Sequence, residues 1–334
     1  MTTPPTAGPL VPLDADAVEL PAGQPRTDDA TTGHPAPAAA QHRRRPTAGR
    51  ILAWCVMALI ILVTLFPFYW ILRTALSTNP SLIAEPTKFT PPDATLDGFR
   101  RVFGAQSGQA AIDAGGSGQK INFWLYLRNS VVVATLVTVG QVFFSAMAAY
   151  AFSRLEWRGR NFFYGLFLAG LMVPTIFTFL PNFVLIKQLG LLDSLFGIAL
   201  PSMLMTPFAV FFLRQFFANI PKELEEASLL DGSSKVRNFF TLILPMSSAP
   251  LATLSILTYI GAWNDYFWPL MVSYTDSSRV LTVGLSIFRS QTPQTGPDWS
   301  GLMAATLVAA LPMLVLFACF AKRIVNSIGF SGIK

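Results

Sequence analysis

The chain has 334 residues, of which 52% are hydrophobic and only 13% charged, and its mean hydropathy is +0.49. That profile excludes an ordinary soluble enzyme of this size and requires much of the surface to face lipid. The formal charge of +6 is distributed along the chain instead of forming one basic patch, which argues against a nucleic-acid partner.

Residues 1–48 are rich in Ala, Pro, Thr and Asp and end in His42-Arg43-Arg44-Arg45. They cannot bury a core and are expected to form a disordered cytoplasmic tail, in which His34 and His42 are poor candidates for metal or catalysis. Residues 49–334 are expected to form one transmembrane domain. Its first span runs from Ile51 to Leu72, near the length of about 20 residues that a helix needs to cross hydrocarbon. A transmembrane helix is the expected reading over a cleavable signal peptide, because the run is long, lies far from Met1 and lacks a convincing small-residue cleavage site. Residues 73–128 read as an exposed outer loop with a flexible insertion over Gly104–Gly118. Within it Gly115-Gly-Ser-Gly-Gln-Lys120 looks like a phosphate loop but has no Gly-Lys-Ser/Thr ending and no preceding strand.

Five more apolar runs follow, over Asn129–Phe152, Phe162–Ile186, Ser194–Phe217, Leu244–Val272 and Gly301–Ala321. The expected fold is therefore an all-α polytopic membrane protein with six transmembrane helices. Pro174 and Pro181 predict a bend in the third span, and Pro250, Gly261 and Pro269 a kinked or tilted fifth one. Cys55 and Cys319 fall inside apolar runs and read as membrane-buried thiols, not a disulfide.

A charged insert over residues 218–243 interrupts the apolar runs. Pro221 suits the first turn of a helix, and Glu223, Glu225 and Glu226 lie near the positive end of its dipole. Asp231-Gly232 supplies a stop, and Ser233 or Ser234 can cap a second short helix. In that second helix Val236, Phe239, Phe240 and Ile243 form an apolar stripe that needs a surface to lie against. The first helix has a smaller seam at Leu224, Ala227 and Ser228.

Orientation follows from the basic residues. Fifteen of the 24 Lys and Arg fall on the side holding both termini, the second-to-third loop (Arg154, Arg158, Arg160) and the insert with its flank (Arg214, Lys222, Lys235, Arg237). The positive-inside rule places that side in the cytoplasm. Energy is the next question. An ion-coupled carrier usually places ionisable groups in mid-membrane, and Asp265 is the one acidic residue in an expected span. With no phosphate loop, metal cluster, catalytic residue or cofactor site of its own, the chain is expected to draw on a partner that docks on the insert.

The residues that carry a resemblance are Glu226-Ala-Ser-Leu-Leu-Asp-Gly232 and, beyond them, Ile243-Leu-Pro245. They are similar to the cytoplasmic coupling motif of binding-protein-dependent ABC importer permeases, with Ser228 in place of the second alanine. Val173-Pro174, Leu189-Gly-Leu-Leu-Asp193, Leu213-Arg-Gln-Phe-Phe217 and Gly261-Ala-Trp-Asn264 resemble the carbohydrate branch, of maltose/maltodextrin-permease type, and the likeness covers about Asn129 to Ala321. The resemblance implies a permease subunit in the bacterial plasma (inner) membrane, paired with a second homologous permease as a heterodimer. It implies further a cytoplasmic ABC ATPase dimer that binds the ATP and an extracytoplasmic solute-binding protein. On this basis Glu226, Ala227, Ser228, Asp231, Gly232, Leu244 and Pro245 are the candidate coupling residues. Trp263, Asn264, Asp265 and Tyr266 are candidates for a sugar path, because aromatic rings stack on sugars and amides bond them; Trp and Tyr equally serve as interface anchors. The expected cargo is a di- or oligosaccharide. A permease for a polyol or a glycerol-phosphate-type solute, and an ion-coupled secondary carrier, are the competing readings.

Overall fold

The computed structural model describes residues 48–116, 118, 121–289 and 297–329. The expected N-terminal tail lies outside the described residues, as do Ser117, Gln119 and Lys120 of the phosphate-loop look-alike. The chain divides into two compact units after Val56; the described part of the first, Ala48–Val56, is the opening of helix α1 (Ala48–Ala75).

Within the second unit α1 continues through Pro67 with its apolar side chains exposed, Leu59, Leu62 and Val63 among them. Its last turn carries Arg73, which is 2% exposed. The Arg73 guanidinium donates to the carbonyls of Glu85 and Lys88, each at 3.0 Å, and lies over the Trp70 ring. A chain leaving a lipid-facing helix is thereby folded back at once into α2 (Asn79–Ala84), α3 (Asp97–Val102) and α4 (Gly108–Asp113).

The described residues of the stretch expected to be a flexible insertion hold helix α4. Ser107 caps α4 by accepting from the Ala110 N–H, and Ala111 is buried. The physical reason is a polar clasp to the last long helix. Asp298 forms an ion pair with Arg101 Nε at 2.9 Å and accepts from Asn79 Nδ2 at 2.8 Å, while Ser300 N–H donates to Asn79 Oδ1 at 3.0 Å. Asn79 also donates to the Gly115 carbonyl at 3.0 Å. Gly98 is needed there, since a Cβ would come within 2.8 Å of the Ser300 carbonyl.

Helix α5 (Phe123–Arg154), capped by Asn122, is the axis on which most of the rest packs. The third apolar run is broken into α6 (Arg160–Ala169), a short 3₁₀ turn at Gly170–Met172, and α7 (Thr175–Gln188), bent by 101°. Val173 is extended because a residue before proline avoids the α region. The fourth run is α8 (Leu195–Met203) and α9 (Pro207–Ala218), bent by 48°, each started by a hydroxyl cap at Ser194 or Thr206. The insert follows as α10 (Lys222–Leu230), α11 (Lys235–Asn238), a wide π-turn at Phe239–Ile243 and α12 (Leu244–Met246). A 79° bend at Ser247 leads into α13 (Ser248–Asn264), then a break at Asp265-Tyr266, α14 (Phe267–Val272) and α15 (Leu281–Leu285). Helix α16 (Trp299–Gly329) closes the described fold.

Three helices are long and apolar enough to cross a membrane by themselves, within α1, α5 and α16, and the count rises to six if each bent pair is one span. All regular elements among the described residues are helical. The bends expected in the third and fifth runs are present, and the fourth run is bent as well, between Met203 and Pro207, where none was expected.

Candidate functional site

The insert is built from its ends inward. Pro221 stands one position earlier than expected, as the N-cap, and α10 begins at Lys222. The helix closes as expected: Ser233 N–H donates to the Ser228 carbonyl and Gly232 N–H to the Leu229 carbonyl, each at 3.0 Å, with Gly232 at φ +84°. These two bonds form the glycine-terminated cap in which a left-handed residue satisfies the last carbonyls. Ser234 then caps α11, its hydroxyl accepting from the Arg237 N–H at 3.2 Å.

Helix α10 presents two different faces. On one, Glu225 and Ser228 turn toward the protein. Ser228 Oγ lies 2.7 Å from Asn238 Oδ1, and Asn238 itself is buried, so the two short helices are bonded to one another. Glu225 reaches α5, where Tyr150 Oη donates to it at 2.8 Å and Arg154 Nη1 lies 3.6 Å from its second oxygen. On the other face Glu226 and Ala227 are exposed, and Leu230 is 89% exposed. Asp231 and Pro245 are exposed as well, and Leu244 is half-buried.

The expected apolar stripe divides. Phe239 and Ile243 are buried against Tyr150, Leu213, Phe217 and Leu254, whereas Val236 and Phe240 are exposed. The wide turn contributes from Phe239 onward, where its extra residue breaks the 3.6-residue spacing on which the stripe was counted. Tyr150 and Asn238 were not singled out from sequence, and Glu225 entered only as a charge near the start of the helix. Arg154 entered only as a count toward orientation, and its nearness to Glu225 is a tertiary fact.

The second candidate region is a cavity of about 450 Å³ between α5, α8, α9, α13 and α14. Asn264 and Asp265 line it, together with Ser130, Gln141, Ser202 and Thr258 and with apolar Val133, Ile198 and Leu254. The Asp265 backbone carbonyl accepts from the Thr282 hydroxyl at 2.6 Å. Asn264 Nδ2 donates to the Ile260 carbonyl at 2.9 Å, and Gln141 to Thr206 Oγ1 at 3.1 Å. Lysine, arginine and histidine are all missing from this lining among the described residues.

Trp263 and Tyr266 do not belong to that lining. Trp263 is 5% exposed, packs parallel to Tyr259 at 6.2 Å and borders, with Asn264, a separate space of about 460 Å³ toward α16. Tyr266 is exposed.

One wall of the first cavity is fixed by a residue the sequence motif contained without explaining. Asp193, at φ +58°, accepts from the N–H groups of Tyr274 at 2.8 Å and Thr275 at 2.9 Å, from the Thr275 hydroxyl at 2.7 Å and from the Ser278 hydroxyl. Burial pushes its carboxyl up, but these donors outweigh it and hold the group well below the usual carboxylate range. Asn129 bonds the same segment through the carbonyls of Ser277 and Arg279. Ser130 then receives the Leu281 N–H at 2.8 Å, at the edge of the cavity.

Residues 141–329 match the model of the family described as binding-protein-dependent transport system inner membrane component. The chain is 29% identical over 293 residues to the trehalose/maltose transport system permease protein MalG of Thermococcus litoralis, covering 87% of this chain and 99% of that protein. It is 30% identical to the arabinooligosaccharides transport system permease protein AraQ of Halalkalibacterium halodurans, over 85% of this chain and 97% of the relative. The fold is similar, with a TM-score of 0.68 at 21% identity, to a crystal structure of a bacterial ABC transporter involved in the import of the acidic polysaccharide alginate; 81% of this chain and 95% of that one are covered.

Proposed function

This chain belongs to the family of binding-protein-dependent transport system inner membrane components, and from that premise we propose that it is one permease subunit of an ATP-driven importer of a neutral di- or oligosaccharide. It sits in the plasma membrane with both termini and α10 in the cytoplasm, each bent pair counting as one of six spans. A second permease completes the path, a pair of ATPase subunits supplies the energy, and a solute-binding protein delivers the sugar.

The observation that carries the coupling role is the two-faced α10. Its Glu225 and Ser228 are engaged inside the protein, while Glu226, Ala227 and the 89% exposed Leu230 point away without cover. Small and apolar groups on an otherwise charged surface helix fit a groove on another protein. Closure of the ATPase pair would push on this face and bias the spans between two states that open the cavity to either side.

The carbohydrate reading draws on the relatives and on the cavity lining. Hydroxyl and amide groups alternate there with apolar patches, which suits a hydroxyl-rich solute. One carboxylate, Asp265, and no cation in the lining disfavour a phosphorylated or otherwise anionic cargo.

The test is reconstitution of the permease pair with its ATPase in proteoliposomes, with binding protein and labelled maltose-type oligosaccharides outside. ATP-dependent uptake is expected, and Leu230→Asp is expected to release the ATPase on purification. Uptake that continues without the ATPase and collapses with the ion gradient would sink the proposal.

A further inference from the structure

We propose that Arg154 is a positioning residue that carries the movement of α10 into α5 and α9 together, acting as a three-way latch. The inference rests on the coupling role of α10 and goes beyond it by naming how the push leaves that helix.

The geometry is specific to arginine. Arg154 is the last residue of α5, and its side chain is 2% exposed. Its Nε donates to the Phe217 carbonyl at 2.9 Å, one Nη bonds the carbonyls of Phe217 and Ile220, and the other Nη faces Glu225 at 3.6 Å. The Phe217 carbonyl belongs to the last turn of α9 and the Ile220 carbonyl lies two residues beyond it, so a cation is favoured at this negative end of the helix dipole independently of the carboxylate. A planar fork can serve carbonyls and carboxylate at once; a lysine ammonium is a single point and cannot. One turn earlier in α5, Tyr150 donates to the other Glu225 oxygen at 2.8 Å and lies 3.1 Å from the Lys235 carbonyl of α11. The carboxylate is thereby gripped from two successive turns of one long helix.

The apolar contacts of the insert take a different course. Phe239 and Ile243 press on α5, α9 and α13 from beyond Gly232. Helix α10 itself places no buried residue in the core, so its direct attachment to the spans is polar and runs through Glu225. Loss of the latch is therefore expected to leave the protein folded and the ATPase docked while α10 moves without the spans.

The experiment measures ATP hydrolysed per solute imported by the full transporter in proteoliposomes, with ATPase co-purification and thermal melting as controls. Arg154→Lys and Glu225→Gln are expected to raise the ratio by roughly tenfold, the upper range for a coupling contact, with the ATPase still bound. Tyr150→Phe should raise it by about twofold to threefold. A normal ratio in both Arg154→Lys and Glu225→Gln overturns the latch. If Arg154→Lys fails to fold, Glu225→Gln decides alone, because its side chain already borders solvent at 15% exposure. Ala227→Asp and Leu230→Asp separate the two levels. ATPase loss in these with a normal ratio in the latch variants rejects the latch only, and ATPase still bound and coupled in both rejects the docking role of α10 itself.

Discussion

Two polar clusters tie connecting segments to long helices in this chain, and they differ in closure. At Asp298 the carboxylate has no exposed area, its Arg101 partner is 5% exposed, and the bonds return to Asn79, Ser300 and Gly301 of the same chain. At Glu225 the bonds stop on one side of α10, and the next turn offers Ala227 and Leu230 to whatever lies beyond. A closed cluster spends its charges on fixing a shape. An open one leaves half of its helix uncovered, and on the reading proposed above that is the face a second protein takes, so its strength is to be measured with that protein attached.

The largest effect tests the closed cluster. Asp298→Ala leaves a buried guanidinium without its carboxylate, and about 3–5 kcal/mol of stability is expected to be lost, seen as a collapse of the melting transition in detergent. A loss below about 1 kcal/mol would mean that water reaches Arg101 and the cluster is not closed. Gly232→Val comes next and tests the open cluster. A Cβ there meets nothing within 4 Å, so the cost is the left-handed backbone alone, about 2 kcal/mol for a β-branched residue. The variant should insert normally yet import poorly per ATP, while Gly232→Asn retains transport.

Asp193 stands between the two, closed around its loop but part-exposed. Asp193→Ala should cost about 1.5 kcal/mol, the low end for bonds to a charged acceptor. Because the folded group is held below its ordinary value of 3.8, its contribution is complete above that pH and drains away as the pH falls beneath it. Melting curves of wild type and variant should therefore converge in acid and separate at neutral pH. Ser228→Ala is the smallest change. It removes the 2.7 Å bond to Asn238, about 1 kcal/mol within the insert, and unchanged coupling in this variant would mean that the two short helices hold their angle without it.

Local chemistry made much of this visible in advance. The Gly232 stop, the Ser234 cap, the break at Pro174 and the helical class all follow from what glycine, hydroxyls and proline do to a neighbouring backbone. Partners distant in sequence were not visible. Arg101 and Asp298 are separated by 197 positions and Tyr150 and Glu225 by 75, and no periodicity reports a pair of that kind. The same limit explains Trp263. An aromatic beside Asn and Asp reads as anchor or sugar platform, and only the fold shows that Trp263 packs against Tyr259 while bordering a cavity.

The wide turn at Phe239–Ile243 carries a consequence in phase. Five residues occupy a path that an α-helix covers with about four, so each side chain beyond it is advanced by about 100° around the helix axis. Residues before the turn keep time with α11 and those after it with the approach to α13. The chain thus holds one residue of slack where the insert meets the membrane. Loss of a single residue is survivable there as a change of angular setting, whereas inside α5 the same loss would rotate a whole buried face out of register.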